Sequence, residues 1–339
     1  MIKEREKLTF AVVILNWNGR ELLEKFLPDV VRYAHPQSKI YVADNASSDT
    51  SLDYVKENFP QVGIILNDDN YGFAKGYNEA LKGLKEDVFA LVNSDIEVEE
   101  GWMDAMVEEF ETREDTAAAQ PRLLDYKDKK MFEYAGAAGG FIDRFGYPYC
   151  RGRIFTVLEE DKGQYSENSD IFWATGACLF VRREMFETLG GFDDDFFAHL
   201  EEIDLCWRIH NSGKKVRYVA GSRVYHVGGA TLKKYDARKT FLNFRNSLFA
   251  IVKNMPTRRM WYVILVRLLL DGVQGVRFLG EKRPRHTWAL VRAHWSFYAG
   301  FGKMWKKRKQ TPVKTRSYYH TESIVFSHFM FRKKYFNQL

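Results

Sequence analysis

The sequence predicts an α/β protein built on a mainly parallel sheet. Three observations carry that expectation. Four short apolar or β-branched runs in the first hundred residues are each followed by a segment with helical spacing, the pattern of βαβ units. The first run, residues 9–16 (TFAVVILN), is apolar almost throughout, as a strand covered on both faces must be. All four runs end in the same polar chemistry, dense in Asn, Asp and Gly.

The elements follow in order. After the first strand, Leu22, Leu23, Phe26, Leu27 and Val30 recur at helical spacing within residues 19–34. Residues 39–43 form a second strand with a helix at 50–59, residues 62–66 a third with a helix at 72–84, and residues 88–92 a fourth with a helix at 101–110. Between 115 and 250 the pattern is mixed. Strand-like runs stand at 177–181, 215–220 and 222–227, and one helix runs over 200–212 with Gly213 in position to close it. From 237 onward the reading is helical, with apolar stretches interrupted by Arg and Lys. There is no internal repeat and no low-complexity linker.

Composition bounds the function. The 339 residues allow one large domain with an appendage. Cys150, Cys178 and Cys206 make no CxxC pair, which fits buried thiols in a reducing compartment. The charged start, MIKEREKLTF, has no apolar core segment, so no signal peptide is expected. The net charge of +6 conceals an asymmetry: residues 1–250 carry 32 Lys+Arg against 42 Asp+Glu, and residues 251–339 carry 19 against 3. The basic, aromatic tail calls for an anionic surface.

In open α/β sheets, ligands sit beyond the carboxyl ends of the strands. Those ends are NWNG (16–19), ADNASSD (43–49), NDDNYGFAKGYN (67–78) and NSD (93–95). Asp44 can accept an imide N–H of a base, or it can belong to a Ser/Asp-rich helix cap. Gly72 and Gly76 can expose helix N–H groups to a ribose or phosphate, or they can serve close helix–strand packing. Their spacing excludes a dinucleotide fingerprint. Asp95 suits a hard divalent cation, which needs only one or two carboxylates when substrate phosphates and water complete its shell. A plain turn is the alternative.

On the helix at 200–212, Glu202 shares a face with Leu205, Cys206 and Ile209. Glu201 groups with Asp204, Arg208 and Asn211, so it reads as solvated or ion-paired. An inward carboxylate near a helix start makes Glu202 the candidate general base. His226 precedes Gly228 and Gly229, which let a phosphate or metal approach.

Taken in order, NWNG, ADNASSD, NxGFAxGxN, NSD, TGACLFVRREMFETLGGFDDDFF with EEIDL, and YHVGG resemble the inverting family 2 glycosyltransferases of the GT-A fold. The nearest likeness is to the bacterial rhamnosyltransferase-like group, over roughly residues 8–250. The resemblance implies a catalytic domain at 1–250 with a nucleotide-sugar half at 8–115 and an acceptor half at 116–250; the charge split sets off a basic, helical, membrane-associating or packing region at 251–339. It implies that Asp44 reads the base and Trp17 flanks it, with Asn16, Asn18, Asn45, Gly72, Gly76, Asn78, Asn93 and Ser94 on the donor side. Asp95 then holds Mg²⁺ or Mn²⁺ bridging the donor's diphosphate, with His226 beside it. Glu202 stands where the family's catalytic Asp is usual, with Glu201 as its substitute. Trp173, Thr175 and Gly176 fall on the acceptor side.

Two positions depart from the pattern: Asn93 replaces the first acid of the DxD motif, and Glu202 is one methylene longer than Asp. The implied activity is transfer of a sugar, rhamnose from dTDP-rhamnose first, from a dTDP- or UDP-linked donor to a glycan or lipid-linked acceptor of a cell-surface polysaccharide. The departures leave open a non-catalytic nucleotide-sugar-binding or scaffold protein.

In the tail, the longest unbroken apolar run, residues 260–266, is far shorter than the ~20 residues a bilayer span needs. Its cationic, aromatic helices read as interfacial, reinforced by KKRK (306–309) and RKK (332–334). A peripheral position on the cytoplasmic membrane face is expected. The alternative is helices packed on the catalytic domain with their charges solvated. Nucleic acid is not expected as a partner, since no recognition motif accompanies the charge.

Overall fold

The computed structural model describes residues 7–228, 236–310 and 315–339. Its first half is β1 (Phe10–Asn16), α1 (Arg20–Arg32), β2 (Ser38–Asp44), α2 (Ser51–Asn58), β3 (Gly63–Leu66), α3 (Ala74–Ala80), β4 (Val88–Asn93), β5 (Ile96–Val98) and α4 (Asp104–Thr112). Strands β3, β2, β1 and β4 lie side by side and parallel. The register sets Asn16 beside Asp44 and Leu15 beside Asn93, so the polar strand ends line up along one edge.

The apolar run of β1 is explained by burial on two sides. Phe10, Val12 and Ile14 enter one core with Leu23, Trp102 and Phe110, whereas Ala11 and Val13 enter the other with Tyr77 and Trp207. Alternation is present in direction but invisible in polarity, because both faces are covered.

The chain then adds β6 (Thr116–Asp125), a small sheet of β7 (Gly140–Ile142), β8 (Pro148–Cys150), β9 (Arg153–Ile154) and β10 (Val157–Leu158), then β11 (Ser169–Ile171), β12 (Cys178–Arg182), α5 (Arg183–Thr188), α6 (Glu201–Asn211) and β13 (Lys215–His226). The main sheet runs β3-β2-β1-β4-β12-β6-β13-β11, with β12 antiparallel to both neighbours and β5 paired to β13. The runs at 215–220 and 222–227 are one strand, bent by a register shift between Val219 and Arg223. The extra residues, 220–222, lie on β13 opposite the step from Pro121 to Arg122 on β6, and Pro121 cannot donate to a ladder.

The C-terminal part is α7 (Ala237–Asn254), α8 (Thr257–Gly280), α9 (Pro284–Arg308) and α10 (Ile324–Phe329). Helix α7 runs unbroken through residue 250 and packs against α6 and α9. Beyond Met260, Val263 and Ile264, which are buried, α8 reverses the usual polarity. Arg267 and Asp271 are buried, with His294 Nε2 3.1 Å from Asp271 and Arg267 Nη2 donating to Ser247 Oγ at 2.8 Å. Leu265, Leu269, Val273 and Val276 face outward, each at least 60 % exposed. A helix of an isolated globular protein turns its apolar stripe inward. Among the described residues, no helix is long and apolar enough to cross a membrane.

Candidate active site

The asparagines at the strand ends tie the loops together. Asn16 Nδ2 donates to Asp44 Oδ1 at 2.8 Å and to Ser51 Oγ at 3.1 Å. Ser47 donates its hydroxyl to Asp44 Oδ1 at 2.6 Å and its N–H to Oδ2 at 2.8 Å. Asp44 is therefore buried and aimed by three donors, and Trp17, next to Asn16 in the chain, is 52 % exposed. Asn18, in the left-handed region at φ 50°, accepts from the Ser48 N–H at 2.8 Å.

Asn45 Nδ2 donates to the Gly72 carbonyl at 2.9 Å, and its Oδ1 accepts from Asn67 at 2.7 Å. A Cβ at Gly76 would lie 2.9 Å from that amide, so the glycine is required by packing. Asn78 points elsewhere: it brackets Phe192 through both backbone groups and donates to Asp194 at 2.7 Å.

At the end of β4, Asn93 and Ser94 are half-buried and Asp95 is buried. Pairing of β5 with the last residues of β13 brings His226 to Asp95. His226 Nε2 lies 3.2 Å from Asp95 Oδ1, and Nδ1 lies 3.2 Å from Glu133 Oε1, near enough for an ion pair but misaligned for a hydrogen bond. Burial opposes the imidazolium, yet the two carboxylates prevail and hold His226 up to about 10.

Glu133 escapes sequence reasoning because it is a single acid in a Gly/Ala-rich stretch. Its Oε2 is fixed by the Ala135 and Gly136 N–H groups at 2.5 and 3.2 Å. Gly228 approaches it closely, and Gly229 lies outside the described residues. Among the described residues, no three His, Cys, Asp or Glu side chains are arranged to hold a metal. The donor set fits a cation that brings diphosphate and water and takes Asp95 as its protein ligand; it does not fit a cage made of protein alone.

The approach to α6 is strained. Phe197, His199 and Leu200 all have positive φ, between 64° and 68°, a conformation that costs each on the order of 1–2 kcal/mol. Helix α7 holds it in place. Asn246 Nδ2 is shared among the carbonyls of Phe196 (3.0 Å), Ala198 (3.0 Å) and His199 (2.7 Å), and Arg245 donates to those of Asp195 and Phe196.

This turn delivers two glutamates to the helix start. One oxygen of each, Oε2 of Glu201 and of Glu202, is buried without a partner. Burial pushes Glu202 up to about 7 against the pull of the Glu202, Ile203 and Leu200 N–H groups. Burial, then the charge of Glu202, raises Glu201 well above the carboxylate range. Glu201, expected to be solvated or ion-paired, is instead 4 % exposed. The polar stripe it was grouped with is buried against α7: Asp204 accepts from Arg208 Nε (2.9 Å), Lys253 Nζ (2.8 Å) and Asn254 Nδ2 (2.8 Å).

Trp173 and Thr175, expected on the acceptor side with Gly176, are buried. Trp173 donates Nε1 to the Phe141 carbonyl at 2.9 Å and lies flat on Gly140. The Thr175 N–H donates to Gln120 at 3.0 Å, and Gly176 makes room for the ring of Phe73.

Residues 11–190 match Glycosyl transferase family 2. The N-acetylglucosaminyl-diphospho-decaprenol L-rhamnosyltransferase of Mycobacterium tuberculosis is 25 % identical over 231 residues, 63 % of this chain and 75 % of that protein. Rhamnosyltransferase WbbL of Escherichia coli is 26 % identical over 216 residues, 61 % of this chain and 77 % of its own length. Among solved structures, the mannosyltransferase PcManGT of Pyrobaculum calidifontis, in complex with GDP-Man and Mn²⁺, superposes with a TM-score of 0.53 at 13 % identity, covering 91 % of this chain and 86 % of that one.

Proposed function

The chain belongs to glycosyl transferase family 2 and has the GT-A fold, and from that premise we propose an inverting transferase that moves a sugar from a nucleoside-diphosphate donor to a lipid-linked saccharide. Rhamnose from dTDP-rhamnose is the first donor to test and a UDP-sugar the second; both similar relatives are named rhamnosyltransferases. A diphosphate-linked lipid acceptor is favoured by the name of the mycobacterial relative.

The observation that carries the mechanism is the free, buried Oε2 of Glu202 at the end of a strained turn. With its affinity for protons raised by burial, Glu202 takes the proton of the acceptor hydroxyl. That oxygen attacks the anomeric carbon as the bond to the diphosphate breaks on the opposite face, and the leaving group departs with the electron pair. Asp44 and Trp17 seat the base, Asp95 faces the diphosphate, and His226 and Glu133 fix the Asp95 carboxylate. A divalent cation, Mg²⁺ or Mn²⁺, held by Asp95 and the donor would neutralise charge on the leaving group.

The outward apolar stripe of α8, continued by Trp288 and Trp295 on α9 and by Phe329, Met330 and Phe331 beside α10, suits an anionic membrane surface on the cytoplasmic side. The flanking Lys and Arg residues of 251–339 add to that attraction. The domain reading is a catalytic unit at 1–250, divided near 115, with 251–339 as its membrane-facing extension.

The deciding experiment is E202Q with a panel of donors. Transfer lost while donor binding persists supports the enzyme. A wild type that binds donor yet neither transfers nor hydrolyses any of them favours a non-catalytic binder instead.

A further inference from the structure

Two cations near the catalytic carboxylates form no salt bridge with the described residues. Arg153, on β9, donates Nη1 to the Phe155 carbonyl at 2.9 Å and Nη2 to Cys150 Sγ at 3.4 Å, and its Nε is buried with no partner. Its guanidinium lies 4.4 Å from the Tyr134 ring centre. Among the described residues it makes no salt bridge. Lys239, in the first turn of α7, is half-buried and likewise makes no hydrogen bond or salt bridge with the described residues.

Lys239 is located by the groups that feel its charge. Its pKa is lowered by burial, with Arg153 adding and Glu133 opposing, and it in turn helps burial keep His199 down at about 4. His199 is thus neutral, and its Nε2 is also buried without a partner. The Cys150 thiol beside Arg153 is within electrostatic reach of both Glu133 and Glu202. Lys239 thus links Arg153 on β9 to His199 on the strained turn, and the Arg153 Nε and His199 Nε2 are both buried without a partner among the described residues. The charge of Glu133 reaches both Lys239 and Arg153 but is shared with His226 and two backbone N–H groups.

A half-buried cation and a buried N–H group without a partner gain from a ligand that supplies the anion. The surroundings of Arg153 indicate which anion. Phe155, whose carbonyl Arg153 holds, packs against His328 and Phe329 of α10 at ring distances of 4.7 and 5.1 Å. Phe329, Met330 and Phe331 are more than half exposed and belong to the outward apolar face. Arg153 is therefore joined on one side, through Cys150, to the electrostatic reach of Glu202 and on the other, through Phe155, to an exposed apolar surface suited to a lipid tail.

We propose that Arg153, Lys239 and His199 form a phosphate-binding site for the diphosphate that joins the acceptor sugar to its lipid. This rests on the functional reading above. In such a complex the reacting sugar reaches Glu202, the diphosphate accepts charge-assisted hydrogen bonds from the two cations, and the prenyl chain leaves over α10. No bond is made or broken at the site.

The test uses the full chain with two acceptors: N-acetylglucosamine linked through diphosphate to a farnesyl chain, and an uncharged farnesyl glycoside of the same sugar. Lys239→Met is expected to raise the KM of the diphosphate acceptor about tenfold, the loss expected for one charged hydrogen bond. It is expected to leave the KM of the uncharged acceptor and of the donor within twofold. An equal rise for both acceptors, a rise in donor KM alone, or no change would each overturn the proposal. Arg153→Met is the second variant, and if it does not fold, Lys239→Met decides alone. Binding of farnesyl diphosphate, followed by tryptophan fluorescence, gives a readout independent of turnover. Weaker binding by Lys239→Met than by wild type supports the site even if no sugar is transferred, in which case the functional reading fails and the site stands. Equal binding by the two proteins counts against the site whatever the turnover.

Discussion

The Nδ2 of Asn246 lies 2.7 Å from the His199 carbonyl, so one buried amide on α7 holds the left-handed turn that aims Glu201 and Glu202. Three positive-φ residues in four positions do not persist unless their surroundings over-determine them. Asn246→Ala removes the shared donor and lets the turn relax. The expected outcome is a fall in kcat on the order of 100-fold, the scale of a misplacement of about 1 Å, with donor KM little changed. Loss of the buried hydrogen bonds should cost about 1–3 kcal/mol. Steady-state kinetics and thermal melts check both, and an unaltered kcat would show that the turn holds itself.

That relationship also marks where sequence reading stops. The first four strands were legible because their β-branched runs announce strands covered on both faces. Strand β6 was not, since TAAAQPRLLD carries three alanines and Pro121, and only its place between β12 and β13 makes it a strand. Asp95, Asp44 and Glu202 were singled out by their positions at strand ends and a helix start. Glu133 was not, because its meaning comes from His226 and nothing local predicts that contact. Glu201 looked solvated for the same reason: Lys253 and Asn254, which bury its helix face, belong to a helix about fifty residues onward.

The pH dependence of Glu202 can be worked out in sign. Its carboxyl is raised from 4.5 to about 7 in the folded protein. A base must be deprotonated, so kcat/KM for the wild type should climb as pH rises through about 7. Stability moves the other way. A raised carboxyl contributes stability that is fully present below about 4.5 and lost as pH rises through about 7. Glu202→Gln should therefore be inactive yet gain melting temperature over the wild type between pH 5 and 8. Parallel melting curves across that range would indicate that Glu202 is ionised without penalty.

Lys253 bridges two buried carboxylates, Asp193 at 2.5 Å and Asp204 at 2.8 Å. Against the cost of burial, Lys253 and its neighbours hold both acids below their usual range. Their contribution to stability is present above about pH 4 and is lost as pH falls. Lys253→Met leaves Lys307 on Asp193 and Arg208 on Asp204 but removes the shared cation. A destabilisation of about 3 kcal/mol at pH 7 is expected, shrinking toward pH 3 as the acids protonate. Urea titrations at the two pH values measure it, and an equal loss at both would assign the effect to packing.

The outward stripe of α8 makes a prediction that separates membrane docking from simple packing. Leu265, Leu269 and Val273 touch little of the protein, being 60–67 % exposed. Replacing all three with Gln should therefore leave the fold and transfer to a water-soluble acceptor intact. Burying each side chain in an interface is worth about 1 kcal/mol, so the triple variant should bind vesicles on the order of 100-fold more weakly. Basic residues on the same face add a salt-sensitive part. Wild-type recovery with vesicles containing anionic lipid should fall as ionic strength rises, whereas the apolar part should resist salt. Co-sedimentation with neutral and anionic vesicles separates the two. If wild type and triple variant remain equally in the supernatant, the stripe does not dock on lipid, and a partner protein becomes the surface to seek.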